Sequence, residues 1–184
     1  KRNATLMLVP TMYAVAHGRG RRFISEYYNQ MPLDDKGNPV AKRLLNISTI
    51  PHISNTLSSV LKYMTPTVYG ETLFDTNILS PFHQKNLRYY KYAVTQLPFG
   101  KAQIYVYPRL KNTQVIEARA IVDSKTGKIS MVDFEGEYDM TRFYISIIMG
   151  RDGFGSLSPA KCSMRANFSF LGNKITGMYT TVYG

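Results

Sequence analysis

Hydrophobic and polar residues alternate with a period of two along most of this chain, and the clearest run begins at Cys162. Cys162, Met164, Ala166, Phe168 and Phe170 fall on one side, and Ser163, Arg165, Asn167 and Ser169 on the other. This is the pattern of an antiparallel strand with one face buried and one in water. Gly172-Asn173 follows, and two residues of that kind between alternating runs predict a tight hairpin that returns along residues 175–183. Asp123-Ser124-Lys125-Thr126-Gly127 predicts a second hairpin, with arms at 114–122 and 128–135 and with Gly127 in the left-handed backbone that closes such loops. Pro98-Phe99-Gly100 predicts a third, joining 90–95 to 103–107. A polar loop at 34–39 separates strands at 22–29 and 42–48. Further strands are expected at 5–14, 68–75 and 140–149, the last burying Phe143, Ile145, Ile147 and Met149. The expected total is about ten strands.

One segment breaks the alternation. Leu57, Val60, Leu61 and Met64 fall at helical spacing, after Ser54-Asn55-Thr56 and before Pro66, which predicts an amphipathic helix. Its apolar stripe must cover something, and the buried face of a long sheet supplies the other half of a core. Residues 76–87 are expected to hold a short helical turn. The fold expected is therefore α+β and mainly antiparallel β: a curved sheet or half-barrel of about ten strands with at least one helix on its concave face. With no internal repeat, low-complexity tract or linker, residues 1–184 read as one domain.

Composition sharpens this picture at three points. Fourteen tyrosines and nine phenylalanines with no tryptophan suit half-buried pleated surfaces, where a ring packs while its hydroxyl stays wet. A single cysteine cannot form an internal disulfide, so the core must hold the fold without staples. No apolar run approaches the ~20 residues of a spanning helix, and the opening Lys1-Arg2-Asn3 does not start a signal peptide.

The net charge of +11 invites a phosphate-rich partner, yet the basic residues are scattered. The tightest groups are Arg19, Arg21 and Arg22, then Lys42-Arg43, then Lys85, Arg88 and Lys91. Arg88-Tyr89-Tyr90-Lys91-Tyr92 could stack bases, but a strand that alternates solvent-facing cations with packed tyrosines explains it more simply. No nucleic-acid partner is expected. An anionic membrane face would attract the same charge.

No catalytic constellation, metal site or cofactor site is visible. His17, His52 and His83 sit in unrelated contexts, without the paired spacing zinc requires. Cys162, at an apolar strand position with no histidine nearby in sequence, reads as a small buried hydrophobe. Asp133, Glu135, Glu137 and Asp139 are alternate residues that could converge as an acid–base pair or a cation site. Gly136 among them suggests a bulge that would scramble their facing, and pairing with Arg or Lys on adjacent strands is the preferred reading.

Several phrases carry a family resemblance: Ile24-Ser25-Glu26-Tyr27-Tyr28; Leu79-Ser80-Pro81-Phe82-His83 followed by Tyr89-Tyr90-Lys91-Tyr92; Pro108-Arg109-Leu110-Lys111-Asn112-Thr113-Gln114; and Gly136-Glu137-Tyr138-Asp139-Met140. Together they resemble an uncharacterised family of Bacteroidetes proteins. In that family a carboxypeptidase regulatory-like β-sandwich precedes a domain of unknown function, and the whole is associated with the outer membrane. The resemblance runs through residues 6–175 and implies an internal piece of a longer exported protein, located in the cell envelope on the periplasmic or surface side. It brings no peptidase residues.

The element order is also similar to the lipoprotein-carrier fold, an analogy of layout. That analogy would make Leu57, Leu61, Phe143, Ile145, Ile147, Phe168 and Phe170 the lining of a site for a lipid, acyl chain or apolar peptide, unless they simply fill a core. The function expected is a non-catalytic envelope module that binds a hydrophobic ligand, another envelope protein or a domain of its own chain. The alternatives are a structural spacer without a ligand and, more weakly, a hydrolase using carboxylates of the 133–139 segment.

Overall fold

The computed structural model describes residues 24–30, 42–49, 68–73, 77–138, 141–151, 157–170 and 173–183. The chain divides into two compact units, Lys1–Leu57 and Ser58–Gly184. In the first, β1 (Ser25–Gln30) and β2 (Lys42–Ser48) form an antiparallel pair, with a register shift between Tyr28 and Asn29. The strand expected at 42–48 is found with those bounds. Those expected at 5–14, the loop at 34–39 and the helix at 54–64, with its Leu57 and Leu61, lie outside the described residues.

The second unit is dominated by one seven-stranded antiparallel sheet in the order β11-β10-β9-β8-β7-β6-β5. Its strands are β5 (Tyr90–Leu97), β6 (Lys101–Pro108), β7 (Glu117–Asp123), β8 (Ile129–Tyr138), β9 (Thr141–Arg151), β10 (Leu157–Phe170) and β11 (Asn173–Val182). Each strand pairs with its neighbour in sequence, the arrangement that short turns enforce. Against the expected sheet of about ten strands, seven are seen among the described residues, and the edges β5 and β11 do not meet, so the described strands form no closed barrel. The strand expected at 68–75 shrinks to β3 (Thr72–Leu73), which pairs with the equally short β4 (Ile78–Leu79). The helical turn expected at 76–87 is a 3-10 helix at Gln84–Tyr89.

The sequence alternation becomes the two faces of this sheet. Ala118, Ala120, Val132, Phe134, Ile145, Ile147, Cys162 and Met164 are buried on one face. Part of that face is covered by residues 68–73 and 77–89, which have little regular structure. Phe82 meets Phe134 edge to face at 6.1 Å, and Val68, Leu73 and Ile78 join the same core. A buried segment without a ladder must satisfy its backbone by other means. The Ser80 hydroxyl donates to Val68 O at 2.6 Å, and Asn86 Nδ2 donates to Glu71 O and Ser80 O. The Tyr90 and Tyr92 hydroxyls donate to Leu79 O and Pro81 O.

Two irregularities tune the sheet. The register slips between Ile121 and Val122, where Ser130 is the extra residue on β8 and donates its hydroxyl to Ile121 O. It slips again between Pro159 and Lys161, with Pro159 beyond the end of the β11 ladder, where proline's missing donor is tolerated. The β10–β11 ladder closes with Phe170 opposite Asn173. Asn173 is therefore a strand residue, where the sequence predicts the second residue of the turn.

Candidate functional site

Phe143, Ile145 and Ile147 sit together on the buried face of β9, exposed by 8%, 1% and 0%. Phe168 and Phe170 occupy the far end of the β10 ladder, Phe168 between Thr141 and Ile175. Phe143, Ile145 and Ile147 are thus covered by the protein itself.

The acidic segment lies on the opposite, polar face of the sheet, and Gly136 does not bulge. The register runs unbroken through Glu135 opposite Tyr144, Gly136 opposite Phe143 and Glu137 opposite Arg142, which corrects the expected scrambling. Glycine is needed here for a different reason: a Cβ at 136 would come within 2.9 Å of Phe143 Cζ. The carboxylates meet arginines on neighbouring strands. Asp133 Oδ2 accepts from Arg119 Nη2 at 2.6 Å and from Nε at 3.1 Å, and Glu135 accepts from Arg142. Asp139 lies outside the described residues. Asp133 is buried while Arg119 stays half exposed, and Asp133 Oδ1 has no hydrogen-bond partner among the described residues. Burial, then the charge of Asp133, pushes the Tyr144 phenol above its usual value, and the carboxylate holds the Arg119 guanidinium higher still.

Beside the Glu135–Arg142 pair, β8 to β11 form an open groove of about 560 Å³. Glu135, Arg142, Tyr144, Arg165, Asn167 and Met178 are among its lining residues. Arg165 carries no ion pair among the described residues, and Met178 is 72% exposed. An arginine fork beside an aromatic and a flexible thioether can hold a carboxylate and its apolar neighbours.

A family model described as a family of unknown function (DUF5686) matches residues 12–184. The chain belongs to this family. Neither the curated proteins nor the solved structures searched gave a match.

In this DUF5686 member, Cys162 and the run from Arg88 to Lys91 are placed as follows. Cys162 is buried, and burial pushes its thiol up to about 11, so it stays protonated at neutral pH. Tyr90 is buried in the core while Lys91 faces solvent. Arg88 and Tyr89 fall in the 3-10 helix, with the guanidinium 4.8 Å from the ring centroid. Among the described residues, no group of three or more His, Cys, Asp or Glu is placed to hold a metal ion. No helix among them is long and apolar enough to cross a membrane, which leaves crossing by strands unaddressed.

Sequence reasoning missed the groove, because it exists only once four strands are in register. It also missed Phe99, although the signal was present: a phenylalanine at the centre of a turn triplet. Phe99 has a φ of 61° and is 98% exposed. The left-handed backbone costs a residue with a Cβ roughly 1–2 kcal/mol.

Proposed function

We propose that this chain is a non-catalytic binding module of a cell-envelope protein, and that its groove across β8 to β11 receives a carboxylate-bearing segment of a partner protein. The observation that carries this reading is Arg165, without an ion pair among the described residues, between Tyr144 and exposed Met178 in an open groove. The Arg142–Glu135 pair in its lining is closed on itself and leaves Arg165 available. The same engagement speaks against a hydrolase, since Asp133 and Glu135 each already hold an arginine. The family resemblance supports a Bacteroidetes envelope protein in which a carboxypeptidase regulatory-like domain comes before this one.

A hydrophobic ligand is the second reading. It draws on the apolar stripe Phe143, Ile145 and Ile147, but a ligand there would have to displace the residues that cover it.

Photo-crosslinking from position 178 in cells separates the two. The expected result is one discrete crosslinked envelope polypeptide, lost on Arg165→Glu and absent when the crosslinker sits at Thr95 on β5. An acyl lipid co-extracting with the purified protein at near-stoichiometric amount, with no crosslink at 178, would replace the protein partner with the lipid.

A further inference from the structure

Two hairpin loops project side by side from one end of the sheet. The β5–β6 loop, Pro98-Phe99-Gly100, and the β7–β8 loop at 124–128 are clasped, with Ser124 N donating to Gly100 O at 2.9 Å and the Ser124 hydroxyl donating to Gln96 Oε1 at 3.2 Å. The clasp presents Phe99, 98% exposed, as a single apolar finger. Lys101, at the base of the same loop, and Lys125 and Lys128, on the clasped loop, are all exposed and without an ion pair among the described residues. The acid on these loops is Asp123, opposite Lys101 in the ladder, whose Oδ1 accepts from the Lys125 and Thr126 amides and the Thr126 hydroxyl, so the tips carry three cations against one carboxylate.

The backbone makes Phe99 more than a chance exposed ring. At φ 61° glycine would serve better, and Gly100 beside it at φ 68° is glycine. A large apolar side chain kept at the outermost point of a strained turn stabilises nothing within the fold that exposes it.

We propose that the clasped tips are a membrane-docking element: Phe99 inserts into the interfacial region of a bilayer while Lys101, Lys125 and Lys128 rest on anionic headgroups. An apolar finger on tips with a surplus of cations matches a surface that is negative outside and hydrocarbon beneath. A protein pocket would match the finger but gives no reason for the three exposed lysines on the same tips. None of these residues lines the groove of β8 to β11, so docking at the tips and binding in the groove hold or fail separately.

The chain has no tryptophan, so Phe99→Trp supplies a unique reporter. Sedimentation with vesicles of phosphatidylcholine alone, and of phosphatidylcholine mixed with phosphatidylglycerol, gives the first readout. The wild type is expected to bind the mixed vesicles and to be released by salt. F99W emission is expected to shift to the blue on the mixed vesicles and to be quenched by brominated acyl chains. Phe99→Gly should weaken vesicle binding roughly tenfold or more while raising the melting temperature, because the strained residue is relieved. The paired change Lys125→Glu with Lys128→Glu should abolish binding to mixed vesicles with the circular dichroism spectrum unchanged. No wild-type binding to mixed vesicles, unaltered binding by Phe99→Gly, or F99W emission indifferent to lipid would each overturn the proposal.

Discussion

A Cβ built on Gly136 would lie 2.9 Å from Phe143 Cζ and 3.2 Å from Ile116 Cγ1, and both neighbours are buried. Neither can swing into solvent, so Gly136→Ala should cost about 1–3 kcal/mol of stability in urea denaturation, despite alanine's milder backbone entropy. An unchanged midpoint would mean that the Phe143 ring moves aside freely. The Arg119–Asp133 pair is asymmetric in a different way. Asp133 is buried and Arg119 half exposed, so deleting the arginine strands a buried carboxylate, whereas neutralising the acid frees a guanidinium to turn to water. Arg119→Met is expected to lose about 1–3 kcal/mol, and Asp133→Asn less. The double variant should recover part of the loss of Arg119→Met. Equal losses from both single changes, measured by urea denaturation of all four proteins, would refute the asymmetry.

At the scale of elements, the Asp123 turn closes the β7–β8 hairpin through three hydrogen bonds to one carboxylate oxygen. Those bonds hold the Asp123 carboxyl below its usual value of 3.8, the Thr126 amide first among them. A depressed pKa stabilises the fold above pH 3.8 and is lost as pH falls through the lower folded value. Asp123→Ala should therefore lower the melting temperature at neutral pH, and the gap to wild type should close in strong acid. A gap that persists there would assign the effect to something other than the charge. Turns of this kind are why the hairpins were legible in the sequence: Gly127, Gly100 and the flanking alternation are local signals, and they located β5 to β8 to within a few residues. The β10 alternation likewise foretold buried Cys162 and Met164. The slips at Ser130 and Pro159 were not legible, because a bulge depends on what the facing strand offers. For a related reason the alternation overstates the strand in residues 68–73 and does not show how 77–89 are held. Their order rests on Ser80, Asn86 and the tyrosine hydroxyls reaching distant carbonyls, and such bonds leave no periodicity. At the candidate site, pairing of Asp133 and Glu135 with arginines was readable from charge and alternation. Gly136 was read as a bulge because close approach of a ring across the sheet cannot be seen along one strand.

Across the second unit as a whole, the polar groups sealed in the core set its response to alkali. Burial pushes the Tyr90 and Tyr183 phenols up to about 12 and the Cys162 thiol up to about 11, from ordinary values of 10.0 and 9.0. These groups are neutral when protonated, so a raised pKa means that the folded chain holds its protons longer than the unfolded one. Between the ordinary and raised values the unfolded state binds fewer protons, and stability falls as pH rises. Stability should thus be level from neutral pH to about 9, decline first through Cys162, and fall more steeply between 10 and 12 as both tyrosines contribute. Tyrosinate absorbance followed beside far-ultraviolet circular dichroism tests this. A fraction of the fourteen tyrosines should ionise only as the sheet unfolds, and Cys162→Ala should remove the early part of the decline, after allowing for its smaller side chain. The coupling has a structural origin, since Tyr90 anchors the covering segment to β5 through Leu79 O and also accepts from Ile116 N. Ionising that one phenol would remove its donor to Leu79 O and leave a charge against the core, so loss of the cover and loss of the sheet are expected in a single transition. Tyrosines that all titrate freely while circular dichroism stays constant would mean that the cover opens without the sheet, and the apolar stripe beneath it would then be reachable by a ligand.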